Sequence, residues 1–90
     1  MRTLMDSTRG QYRVHTLTAV YSIDLDAMTY LRSRIEADAT VLDDDGTPNR
    51  LVAIVECTVG ERMHLKVGVD DGVAWTRLAT THVVRIERVE

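Results

Sequence analysis

The stretch from Trp75 to Glu90, WTRLATTHVVRIERVE, constrains the fold of this chain most. It carries two short β-branched runs separated by Ala79-Thr80-Thr81, and no Gly or Pro interrupts them. Side chains of an extended backbone point alternately to opposite faces. Val84 and Ile86 are therefore expected on one face, with Arg85 and Glu87 on the other. Residues of this kind fit a pleated, half-buried surface. The stretch reads as the closing strand of a small barrel or sandwich.

The alternation is cleaner still from Arg62 to Val69, RMHLKVGV. Met63, Leu65, Val67 and Val69 share one face, while His64, Lys66 and Gly68 share the other. Asp70-Asp71-Gly72 follows as a three-residue hairpin loop, with Gly72 supplying the left-handed residue. Val73 to Ala79 then returns, and His82 to Val89 is expected as a separate run that closes the sheet. Tyr12 to Leu25 is rich in β-formers and changes parity near Leu17 to Ala19, which predicts a hairpin pairing roughly residues 11–16 with 19–25. Arg50 to Val55 is almost continuously apolar, so both of its faces are expected to be covered. Asp43 to Asn49 and Val59-Gly60-Glu61 carry turn chemistry.

Asp26 to Ala39 fits two readings. As a helix, Asp26 would be the N-cap, and Met28, Leu31 and Ile35 would form an apolar stripe. As a strand, Met28, Tyr30 and Arg32 would alternate with Thr29, Leu31 and Ser33, after a turn over 24–27. The surrounding β pattern favours the strand. Ninety residues make one domain. Residues 1–10 lack periodicity and are expected as a flexible arm ahead of a β domain spanning 11–90. The resulting fold class is all-β, with room for at most one short helix. An SH3-like or OB-like barrel of five to six strands fits, because closure removes exposed strand edges.

Three segments resemble small hypothetical proteins of actinobacteria and their phages. They are Val20-Tyr21-Ser22-Ile23-Asp24-Leu25-Asp26-Ala27, Val59-Gly60-Glu61-Arg62-Met63, and Thr80 to Val89 with its Thr-Thr-x-Val-x-x-Ile-Glu pattern. Residues 33–50 carry no such likeness. The resemblance implies a small β domain and supplies no catalytic residue. It also implies, for a phage source, a small accessory protein directed at a host partner. Ten of the eleven basic residues are Arg, which agrees with the GC-rich genomes of that group.

No apolar run approaches the ~20 residues of a membrane helix. Met1 to Gly10 lacks the apolar core of a secretory signal. Cys57 is the only cysteine, so no internal disulfide can form. A cytoplasmic protein away from membranes is expected. With 14 acidic against 11 basic residues, the chain lacks the basic footprint of a typical nucleic-acid binder.

The acidic stretch Asp43-Asp44-Asp45-Gly46 invites a calcium reading, but Ile54 stands where a calcium loop needs its closing Glu. A solvated turn is expected instead. Asp24 and Asp26 sit at a turn edge rather than as an acid–base pair. His15, His64 and His82 lack metal-ligand spacing. Cys57 follows an apolar strand and reads as a core residue rather than a nucleophile. Phosphate loops and nucleophile elbows are missing. No enzyme activity, metal or cofactor is expected.

The binding candidates are Arg62, Lys66 and Arg77, on the polar face of the Arg62–Ala79 hairpin, with Tyr30 or Trp75 as aromatic neighbours, and Arg85 on the polar face of the last segment. Trp75 is either a core anchor or an interface contact. These residues point to a protein-interaction module or to self-association into a homo-oligomer. An anionic, nucleotide-like small molecule is the alternative ligand. Single-stranded nucleic acid, held by stacking and phosphate contacts, is a further one.

Overall fold

Among the described residues seven strands form: β1 (Gln11–Thr16), β2 (Ala19–Asp24), β3 (Thr29–Ile35), β4 (Val41–Asp43), β5 (Asn49–Glu56), β6 (Arg62–Gly68) and β7 (Trp75–Arg88). The computed structural model describes residues 1–35, 41–43, 48–69 and 74–89. Every strand pairing is antiparallel. The sheet runs β2-β1-β7-β6-β5-β3 and returns to β2 through the β2–β3 pairing, which closes a six-stranded barrel. The short β4 adds to the edge of β3. The expected small all-β barrel is the observed fold, and among the described residues it contains no helix. The Asp43–Gly46 and Asp70–Gly72 turn readings fall largely outside the described residues.

The β1–β2 hairpin pairs Tyr12 with Ile23 and Val14 with Tyr21, all four buried. Thr16 closes it: its Oγ1 accepts from Ala19 N–H at 3.1 Å and donates to Ala19 O at 3.0 Å. At the other end of β2, Asp24 Oδ1 accepts from the N–H groups of Asp26 and Ala27 at 3.0 and 2.9 Å. Met28 then takes the left-handed conformation, φ 55°, and turns the chain into β3. Over its described residues the ambiguous segment is therefore a turn followed by a strand, Thr29–Ile35. A modest helix preference is outweighed by continuous pairing with β2 from Thr29 to Arg34.

The core is mainly aliphatic, with Tyr12 and Tyr21 among its members. Met63, Leu65 and Val67 point inward from β6, as their alternation predicts, and meet Val14, Ile23, Leu51, Val83 and Ile86. Gly60, at φ +96°, lets the β5–β6 connection turn where its N–H donates to Val83 O at 2.8 Å.

Four expectations are corrected. The two C-terminal runs are one strand, β7, which pairs first with β6 and then with β1. Val84 and Ile86 do not share a face: Ile86 is 2% exposed and Val84 50%. The cause is a bulge, because His15 pairs with Arg85 and Thr16 with Val83, which leaves Val84 as the extra residue. β5 is not covered on both faces, since Val52 to Val55 are all half-buried. Finally, the arm docks on the barrel. Leu4 is 1% exposed, its N–H donates to Cys57 O at 2.9 Å, and Thr3 bridges Thr58. One apolar side chain in an otherwise patternless segment leaves no periodicity to read, yet it fills the core beside Cys57.

Among the described residues no helix is long and apolar enough to cross a membrane.

Candidate functional site

The inward set Met63, Leu65 and Val67 fixes where the rest of β6 points. His64, Lys66 and Gly68 must lie on the outer surface of the barrel. Register extends this face to the neighbouring strands. Lys66 lies opposite Arg77 of β7 and Ala53 of β5, and Gly68 lies opposite Trp75. Three of the predicted binding residues, Lys66, Trp75 and Arg77, are thereby brought together. Trp75 is 50% exposed, so it is a surface residue and not the core anchor that its hydrophobicity also allowed. The Lys66 ammonium sits 4.6 Å from the centre of its ring. Such a pair contributes about 0.5–1 kcal/mol at an exposed site.

Sequence reasoning missed Arg50. It precedes the inward-facing Leu51 on β5, and its guanidinium crosses to the β6–β7 hairpin, where Nη2 donates to Ala74 O at 3.2 Å. Gly68 makes this crossing possible. A Cβ at that position would stand 2.6 Å from Arg50 Cζ. The signal lay in a glycine within a strand, which often marks a close approach by another group. Arg50, Lys66 and Arg77 thus carry three positive charges across β5, β6 and β7, around a half-exposed indole. Arg62 is exposed on the same face of β6, one register step beyond His64. The face ends at Glu56, which lies opposite His64 and accepts from Thr58 Oγ1 at 2.6 Å. His64 Nδ1 is buried and without a hydrogen-bond partner.

The other two candidates are elsewhere. Tyr30 faces inward from β3 and packs against the core. It also lines a cavity of about 290 Å3 with Gln11, Arg13, Ser22, Asp24 and Leu31. Among the described residues Arg13 is the one cation in that lining. Arg85 lies at the far half of β7, over β1. There His15 Nε2 is 2.8 Å from Glu87 Oε1 and Arg85 Nη2 is 3.6 Å from the same oxygen. Arg85 Nη2 also approaches His15 Nε2 at 3.3 Å. That ring nitrogen can donate to Glu87 or accept from Arg85, but not both at once.

The hydrogen bond from His15, aided by the charges of Arg85, His15 and Arg13, holds the Glu87 carboxyl below its usual 4.5. A depressed carboxylate favours the folded state above its ordinary titration range, and this contribution is lost as pH falls through the lowered value. Glu87→Gln is therefore expected to flatten the acid limb of a stability-against-pH curve below about pH 4.5, measured by denaturant titration.

Ion pairs among the described residues join His15 and Arg85 to Glu87, whereas Arg62, Lys66 and Arg77 take part in none. The contrast separates the two clusters. Arg85 is neutralised within its own group, while Lys66 of β6 and Arg77 of β7 are placed to meet an anionic partner.

The remaining reactive groups have structural occupations. Asp24 caps its turn, and Asp26 Oδ1 accepts from Gly10 N–H at 3.2 Å. Cys57 is fully buried, as expected, and burial together with the neighbouring Glu56 pushes its thiol up to about 12. Because the unfolded thiol titrates near 9.0, the folded state keeps a proton that the unfolded state loses. Stability should accordingly fall as pH rises from 9 towards 12. A thiol reagent at about pH 8 should label Cys57 only as fast as the protein opens; rapid labelling of the native chain would contradict this placement. Among the described residues, no three His, Cys, Asp or Glu side chains gather as metal ligands.

In comparisons with family models, curated proteins and solved structures, no match to this chain was found.

Proposed function

We propose that this chain is a non-enzymatic protein-interaction module that docks an acidic segment of a partner protein on the outer face of β5, β6 and β7. The observation that carries the reading is the half-exposed Trp75, with the Lys66 ammonium over its ring and Arg77 on the neighbouring rung. Trp and Arg are the side chains that most often dominate interfaces. Lys66 and Arg77, which take part in no ion pair among the described residues, favour a negatively charged partner and would speed its encounter. A non-enzymatic role fits the structural occupations of Asp24, Cys57 and the His15–Glu87 pair. A reducing, cytoplasmic setting would suit the lone thiol. The likeness to actinobacterial and phage proteins supports an accessory role directed at a host protein.

Trp75 is also the only tryptophan, so its emission reports on this face alone. The test is a fluorescence titration of the full chain with glutamate-rich peptides that carry aliphatic residues. A parallel titration uses single-stranded oligonucleotides of equal charge. A saturable blue shift with the peptides, absent in Lys66→Glu/Arg77→Glu, is the expected result. A shift with oligonucleotides alone, or none with either, overturns the proposal.

A further inference from the structure

Arg50 and Trp75 adjoin the same small space on the outer face. Gly68 pairs with Trp75 across β6 and β7. A Cβ at Gly68 would stand 2.6 Å from Arg50 Cζ and 2.7 Å from Arg50 Nη2, so the guanidinium lies where a side chain of residue 68 would begin. Among the described glycines only Gly10 and Gly60 take a positive φ. What glycine supplies at position 68 is therefore room rather than backbone freedom.

The Arg50 side chain is fixed at both ends. Its backbone pairs with Thr29 of β3, and the next N–H, that of Leu51, donates to Met28 O at 2.9 Å. Its Nη2 donates to Ala74 O at 3.2 Å. The same carbonyl accepts from Val69 N–H at 3.2 Å and so joins the described ends of the β6–β7 hairpin. The side chain thus passes over Gly68 and ends one residue before Trp75.

An aromatic side chain opposite a strand glycine can cover it, because the glycine has no Cβ to keep the ring off the backbone. Laying the indole on the sheet would also remove apolar surface from water, which is favourable. Trp75 holds the position opposite Gly68, yet it is 50% exposed. The Lys66 ammonium near its ring attracts it only weakly at an exposed site. We infer that Arg50 keeps the indole presented to solvent by occupying the space over Gly68. Arg50 is then a positioning residue for the Trp75 face, and the bare Gly68 is what admits it. The consequence for partner binding rests on the proposed docking function; the placement of the indole does not.

The test is acrylamide quenching of Trp75, the only tryptophan, in the full chain without a partner. Arg50 is exposed, so Arg50→Ala should keep the fold, which far-UV circular dichroism checks. In that variant the ring should settle over Gly68. Its emission then moves to the blue, and the quenching constant falls about twofold or more as the half-exposed ring becomes mostly buried. Arg50→Ala/Gly68→Ala should recover the emission and quenching of the unaltered chain, because the added methyl closes the space. Unchanged or stronger quenching in Arg50→Ala, or equal protection in the single and double variants, overturns the inference. So does Lys66→Ala if it buries the ring as Arg50→Ala does. Calorimetry with glutamate-rich peptides extends the test to binding. Arg50→Ala should bind about fivefold more weakly or worse, and the double variant should regain most of that affinity although it lacks the same charge. A loss that persists in the double variant would assign the effect to charge and overturn the positioning role in binding. If the unaltered chain binds no acidic peptide, the docking function fails and the quenching results alone decide the placement.

Discussion

Leu4→Ala is expected to lower the unfolding free energy by about 2–4 kcal/mol, the usual range for truncating a buried leucine. A domain of this size has only about 5–13 kcal/mol in total, so the loss should depress Tm by roughly 10–25 °C. Leu4 lies in the same cluster as Cys57, Met63 and Leu25, so removing its isopropyl group leaves a cavity in the core. Met5 is the control. It is adjacent in sequence but 45% exposed, and Met5→Ala should cost no more than about 0.5 kcal/mol. Removing residues 1–5 should cost more than Leu4→Ala. It also strips the hydrogen bonds from Leu4 N–H to Cys57 O and from Val59 N–H to Arg2 O, and the Thr3–Thr58 hydroxyl contact. Thermal unfolding of the three variants, followed by circular dichroism, checks the ordering. Equal Tm values for Leu4→Ala and Met5→Ala would show that the arm does not contribute to the core.

The second large effect concerns binding. Lys66→Glu/Arg77→Glu together with Trp75→Ala should weaken capture of an acidic partner by about 30- to 1000-fold, equivalent to about 2–4 kcal/mol. Reversing two adjacent charges replaces attraction with repulsion, and removing the indole deletes the largest apolar contact on the face. The double charge reversal alone should be less harmful at high salt, because exposed charges are screened beyond about 10 Å at 0.1 M. Arg85→Glu is the matched control. Its guanidinium belongs to the His15–Glu87 cluster on another part of the barrel, so reversal there should leave affinity within about twofold. Isothermal titration calorimetry with the acidic peptides separates these cases, and unchanged thermal unfolding excludes a loss of fold. An equal loss from Arg85→Glu would mean that net charge, rather than the Trp75 face, governs association.

Much of the architecture was legible in the chain. The β1–β2 hairpin, the inward set of β6 and the burial of Cys57 followed from alternation and residue type. The gathering of Lys66, Arg77 and Trp75 needed only correct parity on a hairpin, and it too was legible. Arg50 was not, because its place depends on what lies across from Gly68, and strand register is a property of pairs of strands. Tyr30 was offered as an aromatic neighbour of the same face in the sequence reading but lies elsewhere, since β3 occupies another part of the barrel wall.

By itself the sequence determined the strand content, the aliphatic core of β6 and the supply of arginine and tryptophan for a binding surface. These depend on the period of side chains along an extended backbone, and that period is local. Only the tertiary structure decided two things: the bulge that turns Val84 outward and the docking of Leu4 against Cys57. Each arises from closing six strands into a ring. Closure sets which strand edges meet, where register must slip to accommodate curvature and which apolar side chain is left to fill the end. No window of consecutive residues contains that information.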